Sequence, residues 1–127
     1  MFRKIIFVVA LILLGVTACA QSSLPSKVVE QYLAALVAKD DIKAVNLSCV
    51  AWEESAKADG ASFEGVEVSL EDASCLVVTE DGQNGIVSCT GKILFSYAGG
   101  EEKEIGLDRR DYLVVFEGGD WRMCGYQ

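Results

Sequence analysis

An α+β fold, helices first and an antiparallel sheet after them, is predicted by two periodicities and a cysteine count. Between residues 26 and 59 apolar side chains recur every three or four positions, as on one face of a helix. From residue 63 onward they alternate with polar ones, the spacing of half-buried strands, and glycine-rich turns separate the runs. Four of the five cysteines fall within these two parts, an even number that suits two disulfides.

The 127 residues open with a different kind of segment. Arg3 and Lys4 form a charged start, residues 5–16 an apolar run, and Val16-Thr17-Ala18-Cys19 a small-residue cleavage site ending in cysteine. That tetrapeptide resembles the lipobox of bacterial lipoproteins, in which the cysteine thiol receives a diacylglycerol and the preceding peptide is removed. The competing reading, an uncleaved transmembrane helix, needs about 20 apolar residues. Residues 5–16 fall short, and extension adds only Thr17, Ala18, Cys19 and Ala20. The expectation is a signal peptide at 1–18, a lipidated Cys19 with a short linker through 25, and one domain at 26–127. Two or more acyl chains anchor stably where one does not. The membrane is therefore an expected partner, and the domain sits on the extracytoplasmic side of the cell membrane or envelope. The linker, at about 3.5 Å per residue, reaches only about 20 Å.

In the first helix, residues 26–39, Val29, Leu33, Leu36 and Val37 share a face with Tyr32 beside them, and Pro25 is tolerated at its start. Asp40-Asp41 breaks the run, and Asp41 is placed to cap a second segment through Ile42, Ala44 and Val45. Helix is expected to continue through Leu47, Val50 and the Ala/Glu/Lys-rich stretch to Asp59. Cys49 and Trp52 then lie near one face, and Gly60 ends the run.

Strands follow at 63–70, 74–80 and 85–97, the last two joined by the turn Asp81-Gly82-Gln83-Asn84. In the long third strand Val87, Cys89, Ile93, Phe95 and Tyr97 share a face, with Gly91 as a bend. Residues 103–116 and 121–126 make a last hairpin around Gly118-Gly119. A two-residue loop there sets Phe116 opposite Trp121, Val114 opposite Met123 and Leu113 opposite Cys124. Both faces of this hairpin are apolar: Tyr112, Val114, Phe116, Trp121 and Met123 on one, Leu113, Val115, Cys124 and Tyr126 on the other, with Arg122 as the exception. Such a sheet is covered on both faces or meets a second copy.

Cys75 and Cys89 flank the 81–84 turn at nearly equal distance and are paired on that ground; Cys49 and Cys124 remain for the second disulfide. Four cysteines allow three connectivities. The second pair is expected to turn the Cys124 face toward the helices. The face bearing Tyr112, Val114, Phe116, Trp121 and Met123 would then lie outside as a homodimer interface.

The composition excludes several functions. Net charge is −8, and loss of Arg3 and Lys4, the only charges in residues 1–18, takes it to −10. That balance repels nucleic acid and anionic lipid head groups. Cysteine spacings of 26, 14 and 35 residues contain no C-x-x-C, and there is no histidine, so no metal is expected. No cofactor or catalytic motif is found.

Lys39-Asp40-Asp41 after the first helix and the closing Glu117-Gly-Gly-Asp-Trp-Arg, set in this order of helices and strands, resemble the NTF2-like superfamily. The resemblance covers 26–127 and implies a strongly curved sheet that wraps the helices into a cone. It also implies a choice of functions, since the superfamily includes polyketide cyclases, a ketosteroid isomerase and many small lipoproteins. Catalytic members place ionisable groups in the cone. With no histidine that work would fall to Asp, Glu or Tyr. Asp108-Arg109-Arg110-Asp111 reads as a solvated edge or bulge, with one or two of the four inside the cone as the alternative. Tyr32, Trp52, Phe95 and Tyr97 are the candidate pocket residues, core packing being the other reading. The function expected is a non-catalytic binding module for a small apolar ligand or a protein partner. The alternatives are a cyclase- or isomerase-type enzyme using an interior Asp or Tyr, and a structural envelope lipoprotein.

Overall fold

A computed structural model describes residues 24–127; the expected signal peptide, Cys19 and most of the expected linker lie outside the described residues. Three helices, α1 (Pro25–Val37), α2 (Asp41–Asn46) and α3 (Glu53–Ala61), precede five strands: β1 (Glu67–Glu80), β2 (Asn84–Ser96), β3 (Glu102–Gly106), β4 (Tyr112–Glu117) and β5 (Asp120–Tyr126). The fold is α+β, with helices packed in a curved, open antiparallel sheet.

The long β2 pairs with β1 on one side. On the other it pairs with β3 through Lys92–Ser96 and with β4 through Asn84–Val87. β5 completes the sheet beside β4. Val28, Val29, Tyr32, Leu33 and Leu36 of α1 face Val87, Cys89, Ile93 and Phe95 of β2 in one buried cluster. Burial of this stripe holds α1, whose N-terminus has no side-chain cap. The cluster and both disulfides close within the described residues, so 24–127 carries its own core.

Several local expectations are corrected. Asp40, not Asp41, caps α2, accepting a hydrogen bond from the Lys43 N–H. Gly60 lies inside α3 and does not end it; the Asp41 side chain packs where a Cβ at this position would stand. The two strands expected at 63–70 and 74–80 are one strand, kinked between Glu71 and Ser74, where Asp72 has φ 52°. The single strand expected at 103–116 is split by a 3-10 turn, Leu107–Arg109, which drops Leu107 into the core.

Helix also fails to continue past Asn46. The Cys49 N–H donates to the Met123 carbonyl and the Met123 N–H to that of Leu47, both at 2.8 Å, so this segment satisfies the free edge of β5. Cys49 and Cys124 are thereby neighbours along the sheet edge, and their disulfide forms there. Cys75 and Cys89 stand directly opposite each other on β1 and β2 and form the second.

An edge disulfide does not require the Cys124 face to look at the helices, and it does not. Tyr112, Val114, Trp121 and Met123 are 2, 1, 8 and 0 % exposed and face the core; only Phe116, at 38 %, reaches solvent. The face expected outside is the inner one, and the homodimer expected through these five residues loses its surface. Phe116–Trp121 and Val114–Met123 pair as expected, over a loop in which Gly118 and Gly119 both have positive φ. Leu113 instead meets Gly125, because Cys124 is an extra, bulged residue. A one-residue bulge reverses the side-chain faces beyond it. Tyr126 therefore joins Tyr112 on the inner face instead of Leu113 and Val115 outside.

Candidate functional site

Between the C-terminal half of α1, the end of α3 and the inner face of β2 and β3 lies a cleft of about 500 Å³. Its apolar wall comes from Leu33, Leu36, Phe63, Ile93, Phe95 and Leu107. Phe63, just past α3, packs on Phe95 with ring centroids 5.4 Å apart. Asp59, Tyr126 and Tyr112 supply polar atoms, and Lys103, Arg109 and Arg110 complete the lining.

The polar group is built from three distant parts of the chain. Asp59 is on the inward side of α3, near the buried Ala56 and Gly60. Its Oδ2 accepts from the Tyr32 hydroxyl at 2.7 Å and from the Tyr126 hydroxyl at 2.5 Å. Trp52 Nε1 donates to the Tyr32 oxygen at 3.2 Å, and the Trp52 ring meets Tyr126 edge-on at 5.2 Å. Burial, reinforced by the bond to Asp59, pushes the Tyr32 hydroxyl far above the usual tyrosine range. Tyr126 is raised for the same leading reason. Both phenols therefore remain donors at neutral pH, and both donate to one carboxylate oxygen. Among the described residues nothing donates to Asp59 Oδ1, which is left for water or a ligand. The Tyr112 hydroxyl, also raised by burial, donates to the Leu107 carbonyl at 3.3 Å.

Of the four candidate pocket residues, the structure brings Phe95 and Tyr97 to the cleft wall. Tyr32, fully buried, and Trp52 sit behind it and act through Asp59. Of the charged quartet, Arg109 and Arg110 line the cleft, while the segment itself is the turn between β3 and β4. Asp59 and Tyr126 were not among the sequence candidates. A signal for Asp59 existed: it follows Trp52 by seven residues, two helical turns, and so shares its face. Among the described residues no group of acids and cysteines is arranged to hold a metal ion.

A second hollow of about 470 Å³ lies by Thr79, Ile86, Leu113, Val115 and Cys124, with Glu80 and Asp81 beside it. It holds no comparable cluster of convergent hydrogen-bond donors. Among the described residues no helix is long and apolar enough to cross a membrane.

No protein-family model matches the chain, and no curated protein matches it by sequence. Solved structures do match it in shape. One from Pseudomonas putida, described as a polyketide cyclase, superposes with a TM-score of 0.55 at 14 % identity, covering 83 % of this chain and 92 % of that one. Aln2 from a Streptomyces species gives 0.52 at 12 %, covering 78 % and 82 %. A SEC-C motif containing protein from Rhodopseudomonas palustris gives 0.54 at 17 %, covering 81 % and 78 %. Identities this low establish the fold alone, and that fold is the NTF2-like one.

Proposed function

We propose that this chain is a lipid-anchored extracytoplasmic binding module whose cleft takes a small, largely apolar molecule. The observation that carries the reading is the cleft itself. A volume of about 500 Å³, an apolar wall and a few convergent polar groups are the usual attributes of a small-molecule site. The anchor rests on the charged start, short apolar run and Cys19 of the sequence, and two disulfides suit an oxidising compartment.

The test is titration of residues 24–127 with the neutral dye Nile red, read by fluorescence. Saturable one-to-one binding is expected. It should weaken in Ile105→Arg, at a half-exposed position on the cleft wall, and persist in Val115→Arg beside the outer hollow. Absence of saturable binding, or the reverse pattern in the two variants, overturns the reading. For the anchor, the full chain should incorporate labelled fatty acid and lose the label in Cys19→Ala; no label in the parent overturns it.

A second reading has one specific observation in its favour. An aspartate held by two protonated tyrosines at the wall of a cleft is an arrangement that can move a proton to or from a bound carbon acid. On this reading Asp59 Oδ1 is the base and the protein is a cyclase- or isomerase-type enzyme. Deuterium exchange into a bound ketone, abolished in Asp59→Asn with binding retained, would favour it over simple binding.

A further inference from the structure

The cations of this acidic protein are not evenly employed. Lys27, Lys57, Lys92 and Arg122 each lie within 4.0 Å of a carboxylate, while Lys39, which donates to the Val66 carbonyl, and Lys43 stand away from the cleft without an ion pair. Lys103, Arg109 and Arg110 all line the one cleft, and none of them makes an ion pair with a described residue. In a chain of net charge −8, these are three exposed cations without an ion pair gathered on one apolar cleft.

Arg110 is also held in place. Its guanidinium carbon stands 3.5 Å from the centroid of the Tyr126 ring, and that ring is fixed by its hydroxyl on Asp59 and by edge contacts with Trp52 and Tyr112. A guanidinium stacked by its face presents its N–H groups along its edge. The Tyr112 hydroxyl is within reach of that edge, and the N–H groups turned away from it can grip a carboxylate with two parallel hydrogen bonds. Lys103 stands 6.0 Å from the centroid of the Tyr97 ring. Acids lie near this group as well: Asp59 in the same lining, Asp108 and Asp111 beside the two arginines in the chain, and Glu102 and Glu104 on either side of Lys103. Asp59 Oδ2 accepts hydrogen bonds from two tyrosine hydroxyls, and the Asp108 carboxylate is folded over Gly106, with Oδ1 2.6 Å from where a Cβ would be.

We infer that the ligand of the cleft is a monocarboxylate with an apolar body, its carboxylate at Arg109, Arg110 and Lys103 and its body along Phe63, Ile93 and Phe95. This rests on the small-molecule reading of the cleft and adds a charge to it. Long-chain and aryl carboxylates share this chemistry; alcohols and amines of the same body do not.

The test uses residues 24–127 and displacement of Nile red by decanoate, 1-decanol and decylamine, below their aggregation limits. Decanoate is expected to bind about tenfold tighter than decanol, as two or three exposed charge pairs supply together, with decylamine weakest. Raising the salt should narrow the gap. In Arg109→Gln/Arg110→Gln the preference should fall to about twofold or less while Nile red still binds. Lys103→Gln/Arg109→Gln, which spares the stacked Arg110, should lower it partway if the first variant misfolds. Decanol binding as tightly as decanoate, or a preference that survives both variants, overturns the charge assignment and leaves the cleft reading standing. Failure of Nile red itself to bind overturns both.

Discussion

Replacing Asp59 with leucine isolates the polar group at the cleft. The Tyr32 hydroxyl is fully buried and would lose the acceptor of its proton, a deficit of about 1–3 kcal/mol. The Tyr126 hydroxyl is only half-buried and lies on the cleft, where water can replace the carboxylate, so its loss is about 1 kcal/mol. Asp59→Leu is therefore expected to destabilise residues 24–127 by about 2–4 kcal/mol. Asp59→Asn retains an acceptor but loses the charge that strengthens both bonds and should cost about 1–2 kcal/mol. Urea unfolding of the oxidised protein, followed by the fluorescence of Trp52 and Trp121, measures both. The triple variant Tyr32→Phe/Asp59→Leu/Tyr126→Phe removes the orphaned hydroxyls together with their acceptor and should recover at least half of the Asp59→Leu loss. A leucine variant as stable as the parent, or a triple variant worse than Asp59→Leu alone, would refute the reasoning.

The tyrosines also set an alkaline limit. Folded Tyr32, Tyr126 and Tyr112 hold their protons above the value near 10 of the unfolded chain, so above pH 10 the unfolded state binds fewer protons and stability falls. The stability is complete below pH 10. Between pH 10 and 11 the fully buried Tyr32 alone should remove about 1 kcal/mol, measurable as urea midpoints at pH 8, 10 and 11; unchanged midpoints would contradict it. Cys49→Ser/Cys124→Ser opens a loop of sequence separation 75 and should cost up to about 4.5 kcal/mol, against about 3 for Cys75→Ser/Cys89→Ser at separation 14. The reverse order in urea unfolding would count against loop entropy as the main effect. Gly91→Ala should cost at least about 2 kcal/mol, because Gly91 has φ 102° and a Cβ would come within 2.6 Å of the Glu71 and Asp72 carbonyl oxygens. Gly119→Ala, with nothing within 4 Å, should cost less in the same assay.

The elements that were legible in the sequence are those set by local periodicity. The α1 face of Val29, Leu33 and Leu36 and the β2 face of Val87, Cys89, Ile93 and Phe95 are both buried as their spacing requires. The Cys75–Cys89 pair followed from symmetry about a turn. What was not legible depends on events one residue long. The bulge at Cys124 leaves the hairpin turn unchanged and yet reverses the face of Tyr126, which carries it from the outside into the site. The departure of Leu47–Cys49 from helix answers to the free edge of β5, more than seventy residues away, which no local pattern announces. Asp59 looked like one more acid at the end of a charged helix, and only the approach of Tyr32 and Tyr126 from two other elements gives it a role.

The most direct test of the cleft is a ¹H–¹⁵N NMR titration of oxidised residues 24–127 with 1-decanol, a neutral ligand that avoids any bias toward the arginines. Saturable shifts gathered at Leu33, Phe63, Ile93, Phe95 and Tyr126 are the predicted result. Shifts confined to Ile86, Leu113 and Val115 around the outer hollow, or none up to the solubility limit, would contradict the assignment of the cleft as the binding site.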